Sequence, residues 1–176
     1  MDPDESISMD HGTLNVLLGR QPIVDRTGAL VAYELLYRHG DINAAVVTDD
    51  HAATEQVILN AIAQFGVAGA LGSQRGYVNI GRETLGSDSL MLLEPGRFTL
   101  EILETLVIDA DVEHELTRLR QAGFQLALDD VVSIDRVPAR ILELIDIVKI
   151  DVRGVVAEDL PGLIRAAHAS GCLVLA

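Results

Sequence analysis

The sequence predicts an α/β fold in which parallel strands are joined by helical crossovers, and three observations carry that prediction. Short apolar runs alternate with stretches of helical period from Gly19 to the last residue, the pattern of repeated βα units. A polar or charged residue interrupts the end of several of those runs, at intervals of about one βα unit. The chain has 176 residues, 49% apolar and 23% charged, enough for one domain that offsets chain entropy by burying a core.

Taken in order, the opening MDPDESISMDHG carries four acids and no Lys or Arg, and residues 1–13 are expected to form a disordered acidic tail before a folded domain at 14–176. Gly19–Asp25 and Leu30–Tyr37 are apolar runs separated by the turn DRTG, and the spacing suits a hairpin. His51–Phe65 places Val57, Ile58, Ala61, Ile62 and Phe65 on one helical stripe, with Thr48 or Asp49 as its N-cap. A loop leads into a strand at Tyr77–Ile80, then a helix or helical turn through 82–93 and a strand at Arg97–Leu103. Asp111–Ala122 buries Val112, Leu116 and Leu119 and stops at Gly123. Further strands are expected at Gln125–Asp129, Asp146–Ile150 and Cys172–Leu175. Helices at Pro138–Leu144 and Leu160–Ala169 separate them, the second closed by Gly171.

Charge and cysteine content narrow the function. With 13 basic residues against 27 acidic ones the formal net charge is −14, which disfavours a grip on duplex phosphates, so no nucleic-acid partner is expected. Cys172, the single cysteine, forms no internal disulfide or zinc site by itself; it reads as a buried apolar residue in a reducing, cytoplasmic protein. The N-terminus is the opposite of a signal peptide, and no apolar run approaches membrane-spanning length, so no membrane partner is expected. The five histidines lack metal-site spacing, the glycines at 69, 72 and 76 precede a strand instead of cradling a phosphate, and no nucleophile elbow occurs.

The residues that interrupt the strands are more specific. Asn79 lies in YVNI, Glu101 in FTLEIL, Asp129 and Asp130 close QLALDD, and Lys149 lies in IVKID, with gaps of 22, 28 and 20 residues. In a parallel barrel, inward side chains at the C-terminal strand ends converge on one mouth, where such folds keep their chemistry. Uncompensated burial of several charges is costly, so the set must be paired, hydrogen-bonded or metal-bound, and hard oxygen donors suit Mg²⁺ or Mn²⁺. Taken singly the residues have plainer roles: Asp130 as a helix N-cap, Lys149 as the ion-pair partner of Asp151 or Asp129.

In order along the chain, RQPIVD, YELLYR, YVNI, LEILE, LALDD and VKID resemble the EAL domain of cyclic di-GMP phosphodiesterases, over Gly19 to the end. The form of YELLYR and LALDD is most similar to the EAL half of proteins that pair it with an HDOD domain. The resemblance implies an incomplete modified (β/α)8 barrel of about six or seven strands. It implies Glu34, Asn79, Glu101 and Asp129 as ligands of Mg²⁺ or Mn²⁺, with Asp130 shared by a second ion, and Lys149 as the group that holds the nucleophilic water. Gln21, Leu36 and Arg38 would contact cyclic di-GMP, Glu104 would brace the loop after the acidic pair, and the product would be linear pGpG.

Two departures bear on activity. Active members follow their acidic pair with a Phe-Gly-Thr-Gly type loop, where this chain has Val131, Val132, Ser133, Ile134 and Asp135. The chain also stops at Ala176, where the resemblance expects a further glutamate and later a glutamine. The expectation is therefore a degenerate EAL-type domain, a regulatory or protein-interaction module that retains metal or ligand binding. An open barrel edge would seek a protein partner or a second copy. The alternative is an active metal-dependent phosphodiesterase.

Overall fold

The computed structural model describes residues 7–9, 16–39, 71–103, 106–135 and 137–176, with side chains from Gly19 to Leu36 in the first two of these segments. The helix expected at His51–Phe65, and Glu104, lie outside the described residues. Described strands and helices divide into two units, Met1–Phe98 and Thr99–Ala176.

The first unit is built on a hairpin. Strand β1 (Ile7–Met9) falls within the stretch expected to be a tail and pairs antiparallel with β2 (Val16–Val24), which pairs antiparallel with β3 (Leu30–His39). The connecting turn is set by Asp25: its Oδ1 accepts the Thr27 amide at 2.8 Å, the Thr27 hydroxyl at 2.6 Å and the Ala29 amide at 3.0 Å. Gly28 supplies the positive φ of +82° that the turn requires. Strand β4 (Arg75–Asn79) then runs parallel to β3, with Ala32 beside Arg75 and Glu34 beside Tyr77. Helix α1 (Arg82–Leu85) and two 3-10 turns follow, so the stretch expected to be helical at 82–93 is broken into short pieces.

Close packing explains Gly76. A Cβ there would sit 2.8 Å from Leu71 Cδ1 and 2.9 Å from Phe98 Cε1, so the strand approaches these side chains only because the residue has none. Two arginines hold carbonyls around the same place: Arg75 Nη1 donates to Phe98 O at 2.9 Å, and Arg97 Nη2 donates to Gly72 O at 2.6 Å and Gln74 O at 3.1 Å.

The second unit carries the repeated βα pattern. Strands β5 (Phe98–Leu103), β6 (Gln125–Val131), β7 (Ile147–Ile150) and β8 (Leu173–Leu175) pair in parallel in that order. Between them lie helices α2 (Ala110–Gln121), α3 (Ala139–Leu142) and α4 (Leu160–Ala169). Helix α2 starts where Asp109 Oδ1 accepts the Val112 amide at 3.0 Å, buries Val112, Leu116 and Leu119, and gives way to Gly123 at φ +96°. Helix α4 likewise ends before Gly171 at φ +83°. Both faces of the strands are buried near their centre, as parallel strands require. Leu100, Leu126 and Val148 occupy one face; Glu101, Ala127 and Ile147 occupy the other.

Strands β2 to β8 are the seven expected, and β1 adds a three-residue strand to them. Cys172 is buried as expected; its thiol lies 3.4 Å from Ile145 O, and burial, then the Asp146 carboxylate, pushes its pKa up. Among the described residues, no helix is long and apolar enough to cross a membrane.

Candidate functional site

The first unit brings Glu34 and Asn79 together. Glu34 lies near the end of the parallel ladder between β3 and β4, Asn79 closes β4, both are half-buried, and Asn79 Nδ2 donates to Glu34 Oε1 across 3.5 Å. The hairpin register sets Gln21 directly opposite Glu34, and Gly19 opposite Leu36. Alternation along a strand puts Glu34 and Leu36 on one face, so Gln21, Glu34 and Leu36 share it. Gln21 is exposed and Leu36 half-buried. Arg38 takes its register position opposite Leu17, and its side chain lies outside the described residues. Arg20 stacks its guanidinium 5.2 Å from the centre of the Tyr33 ring on the other face of the hairpin.

The second unit brings Glu101, Asp129 and Lys149 together. Lys149 Nζ lies 2.5 Å from Glu101 Oε1 and 2.9 Å from Asp129 Oδ1. The three side chains are 0%, 12% and 14% exposed for Glu101, Asp129 and Lys149, so the contacts are buried ion pairs and not solvated surface ones. One lysine thus meets acids from two different strands. Lysine and acids meet because Glu101 sits beside Ala127, Leu103 beside Asp129, and Ala127 beside Ile147, which puts all three charged residues on one face of β5, β6 and β7.

Of the two single-residue alternatives for Lys149, the pairing with Asp129 is present. Asp151 instead accepts from Arg153, whose amide lies 3.1 Å from Asp151 Oδ1. The pairing with Glu101 lies outside those two single-residue alternatives, because Glu101 is one strand further away than Asp129. The only signal for it was the shared parity of the strand positions.

Asp130 is not the N-cap of a helix but part of β6, and it is exposed. Its φ is +54°, alone in this region among the described residues other than glycine. Leu128 pairs with Val148 but Val131 with Ile150, so three steps on β6 match two on β7 and the strand bulges at the acidic pair. Without the extra residue, alternation would carry the second acid onto the face that holds Leu126 and Leu128. With it, Val131 fills that face and is buried, and Asp130 is left in solvent.

Each unit offers hard donors: a carboxylate and an amide in the first, and two carboxylates beside a lysine in the second. Such oxygens fit Mg²⁺, Mn²⁺ or Ca²⁺ and do not fit soft-metal chemistry.

Comparison with known proteins places this geometry. The chain is 31% identical over 157 residues to CdgJ of Vibrio cholerae, a cyclic di-GMP phosphodiesterase, a match that covers 88% of this chain and 36% of CdgJ. It spans about a third of the length of the curated relatives it matches. Among solved structures it is similar to BlrP1 of Klebsiella pneumoniae in complex with manganese and cyclic di-GMP. The TM-score is 0.66 at 22% identity, over 97% of this chain and 51% of the other. It is also similar to YkuI of Bacillus subtilis, a protein with an EAL domain solved with the substrate cyclic di-GMP and calcium. There the TM-score is 0.64 at 19% identity, over 88% of this chain and 46% of the other. No family model matches the chain. The expected fold class, α/β of the EAL (β/α)8 type, is the one these structures share with it.

Proposed function

We propose, from the premise that this chain is an EAL-type domain, that it serves cyclic di-GMP signalling as a regulatory module. It binds a divalent cation and cyclic di-GMP at its strand ends without efficient turnover. The observation that carries this reading is the buried trio of Glu101, Asp129 and Lys149, which gathers hard oxygen donors beside a lysine.

In this proposal Glu34, Asn79, Glu101 and Asp129 hold the ion, Mg²⁺ or Mn²⁺, and Asp130 serves a second one. When bound, such an ion supplies Lewis acidity toward phosphodiester oxygens and lowers the pKa of water. The chain's own residues do the rest. Lys149, held by Glu101 and Asp129, serves the nucleophilic water in this reading. Gln21, Leu36 and Arg38 contact the ligand, the first two from the Glu34 face of the hairpin, and Glu104 braces the loop after the acidic pair. Turnover is weak in this reading because Val131 to Asp135 stand where the family resemblance expects the Phe-Gly-Thr-Gly type loop. A protein partner or second copy is part of the same reading, as the target a regulatory module acts on, and so is a reducing, cytoplasmic setting, supported by the single buried thiol.

A second reading, an active phosphodiesterase, is favoured by the retention of that trio together with the Glu34–Asn79 pair. Incubation with cyclic di-GMP and Mn²⁺, with pGpG quantified by chromatography and Glu34→Ala as control, separates the two. Ligand bound with no pGpG supports the regulatory module. Turnover at an enzyme-like rate that disappears in Glu34→Ala overturns it in favour of the enzyme.

A further inference from the structure

We infer that Asp130 acts through its backbone as the positioning residue for Asp129: the bulge it forms aims its own amide at the Asp129 carboxylate and turns that carboxylate toward Lys149. The inference deepens the proposed cation site and rests on that reading for its functional meaning.

Three observations combine. The ladder between β6 and β7 gains one residue on the β6 side between Leu128 and Val131, which sets the bulge at the two aspartates. Asp130 adopts φ +54°, a region that Asp and Asn enter more readily than other side chains but that a Cβ still penalises. In that conformation the Asp130 amide donates to Asp129 Oδ1 at 2.9 Å, and Lys149 Nζ meets the same oxygen at 2.9 Å. Two donors from different directions hold one carboxylate oxygen and so fix the rotation of the whole group. A regular strand would send the Asp130 amide into the ladder, away from the side chain of its neighbour.

The identity of residue 130 therefore has two separable consequences, its carboxylate and its backbone. Asp130→Gly and Asp130→Ala both remove the carboxylate, but only glycine enters the positive-φ region without penalty, so the difference between them reports the backbone alone. Asp130→Asn keeps both the backbone preference and a polar side chain.

Three readouts on the full chain test this: exchange of the residue-130 amide by NMR, the carbon shift of the Asp129 carboxyl at neutral pH, and Mn²⁺ affinity by calorimetry. Asp130→Gly and Asp130→Asn are expected to keep a protected amide and the wild-type carboxyl shift. Asp130→Ala is expected to exchange about tenfold faster, to move that shift, and to bind Mn²⁺ about fivefold more weakly than Asp130→Gly. Equal Mn²⁺ affinity in the Gly and Ala variants, or an unchanged amide and carboxyl shift in the Ala variant, overturns the inference. If the wild-type chain binds no Mn²⁺, the cation reading fails instead, and the two metal-free readouts still decide whether Asp130 positions Asp129.

Discussion

Glu34 in the first unit and Glu101 in the second are both glutamates in a parallel ladder, yet the contacts shown for them differ. Glu34 is half-buried and shares a long, 3.5 Å hydrogen bond with the Asn79 amide, a neutral partner on the adjacent strand. Glu101 is fully buried against Lys149, which also holds Asp129. A neutral, partly wet contact contributes little to folding and adapts to a ligand at small cost. A buried ion pair is costly to break, because removing one partner strands the other in a low-dielectric interior. The second unit therefore holds its acids rigidly, while the first presents its acid on a hairpin face shared with the exposed Gln21.

The sharpest way to break this contrast is to remove the cation. Lys149→Met leaves Glu101 and Asp129 facing each other, and urea unfolding should show a loss of about 3–5 kcal/mol. The double variant Glu101→Gln with Lys149→Met should recover a large part of it. Asn79→Ala in the first unit should cost no more than about 1 kcal/mol in the same assay. A comparable loss in both units would erase the distinction.

Smaller effects refine it. Gly76→Ala pushes a methyl into Leu71 and Phe98, and overpacking of this kind should lower stability by about 1–3 kcal/mol. Asp109→Ala removes the N-cap of α2 and should cost about 1 kcal/mol, read from the same urea midpoints.

The smallest effect is at the hairpin turn, where the Thr27 hydroxyl, then the Thr27 and Ala29 amides, hold the Asp25 carboxyl below its ordinary value. Because the folded pKa is depressed, the turn's contribution is fully present above the unfolded pKa and fades as pH falls through the folded one. NMR titration should give Asp25 a midpoint below that of an ordinary aspartate, and Thr27→Val should move it upward.

Much of this was legible in the sequence, for identifiable reasons. Apolar runs bounded by turn residues marked β2 to β8, and Gly123 and Gly171 marked helix ends because only residues tolerant of positive φ fit there. The strand-end positions of Asn79, Glu101, Asp129 and Lys149 followed from the spacing of βα units. What escaped were features set by tertiary geometry. The bulge at Asp130 is invisible locally, since QLALDDV reads as an unbroken strand until the register with β7 is known. The Lys149–Glu101 pair joins residues on strands separated by β6, beyond any pairing that neighbouring strands suggest. Gly76 read as a loop glycine ahead of a strand, whereas it is required by the closeness of Phe98.

Calorimetric titration of cyclic di-GMP into the protein, with and without Mn²⁺, using wild type and Glu101→Gln, tests the central claim most directly. The account predicts saturable binding that requires Mn²⁺ and weakens about tenfold or more in Glu101→Gln, a loss of about 1.4 kcal/mol or greater. No binding by the wild-type chain, or the same affinity in Glu101→Gln and without Mn²⁺, would contradict it.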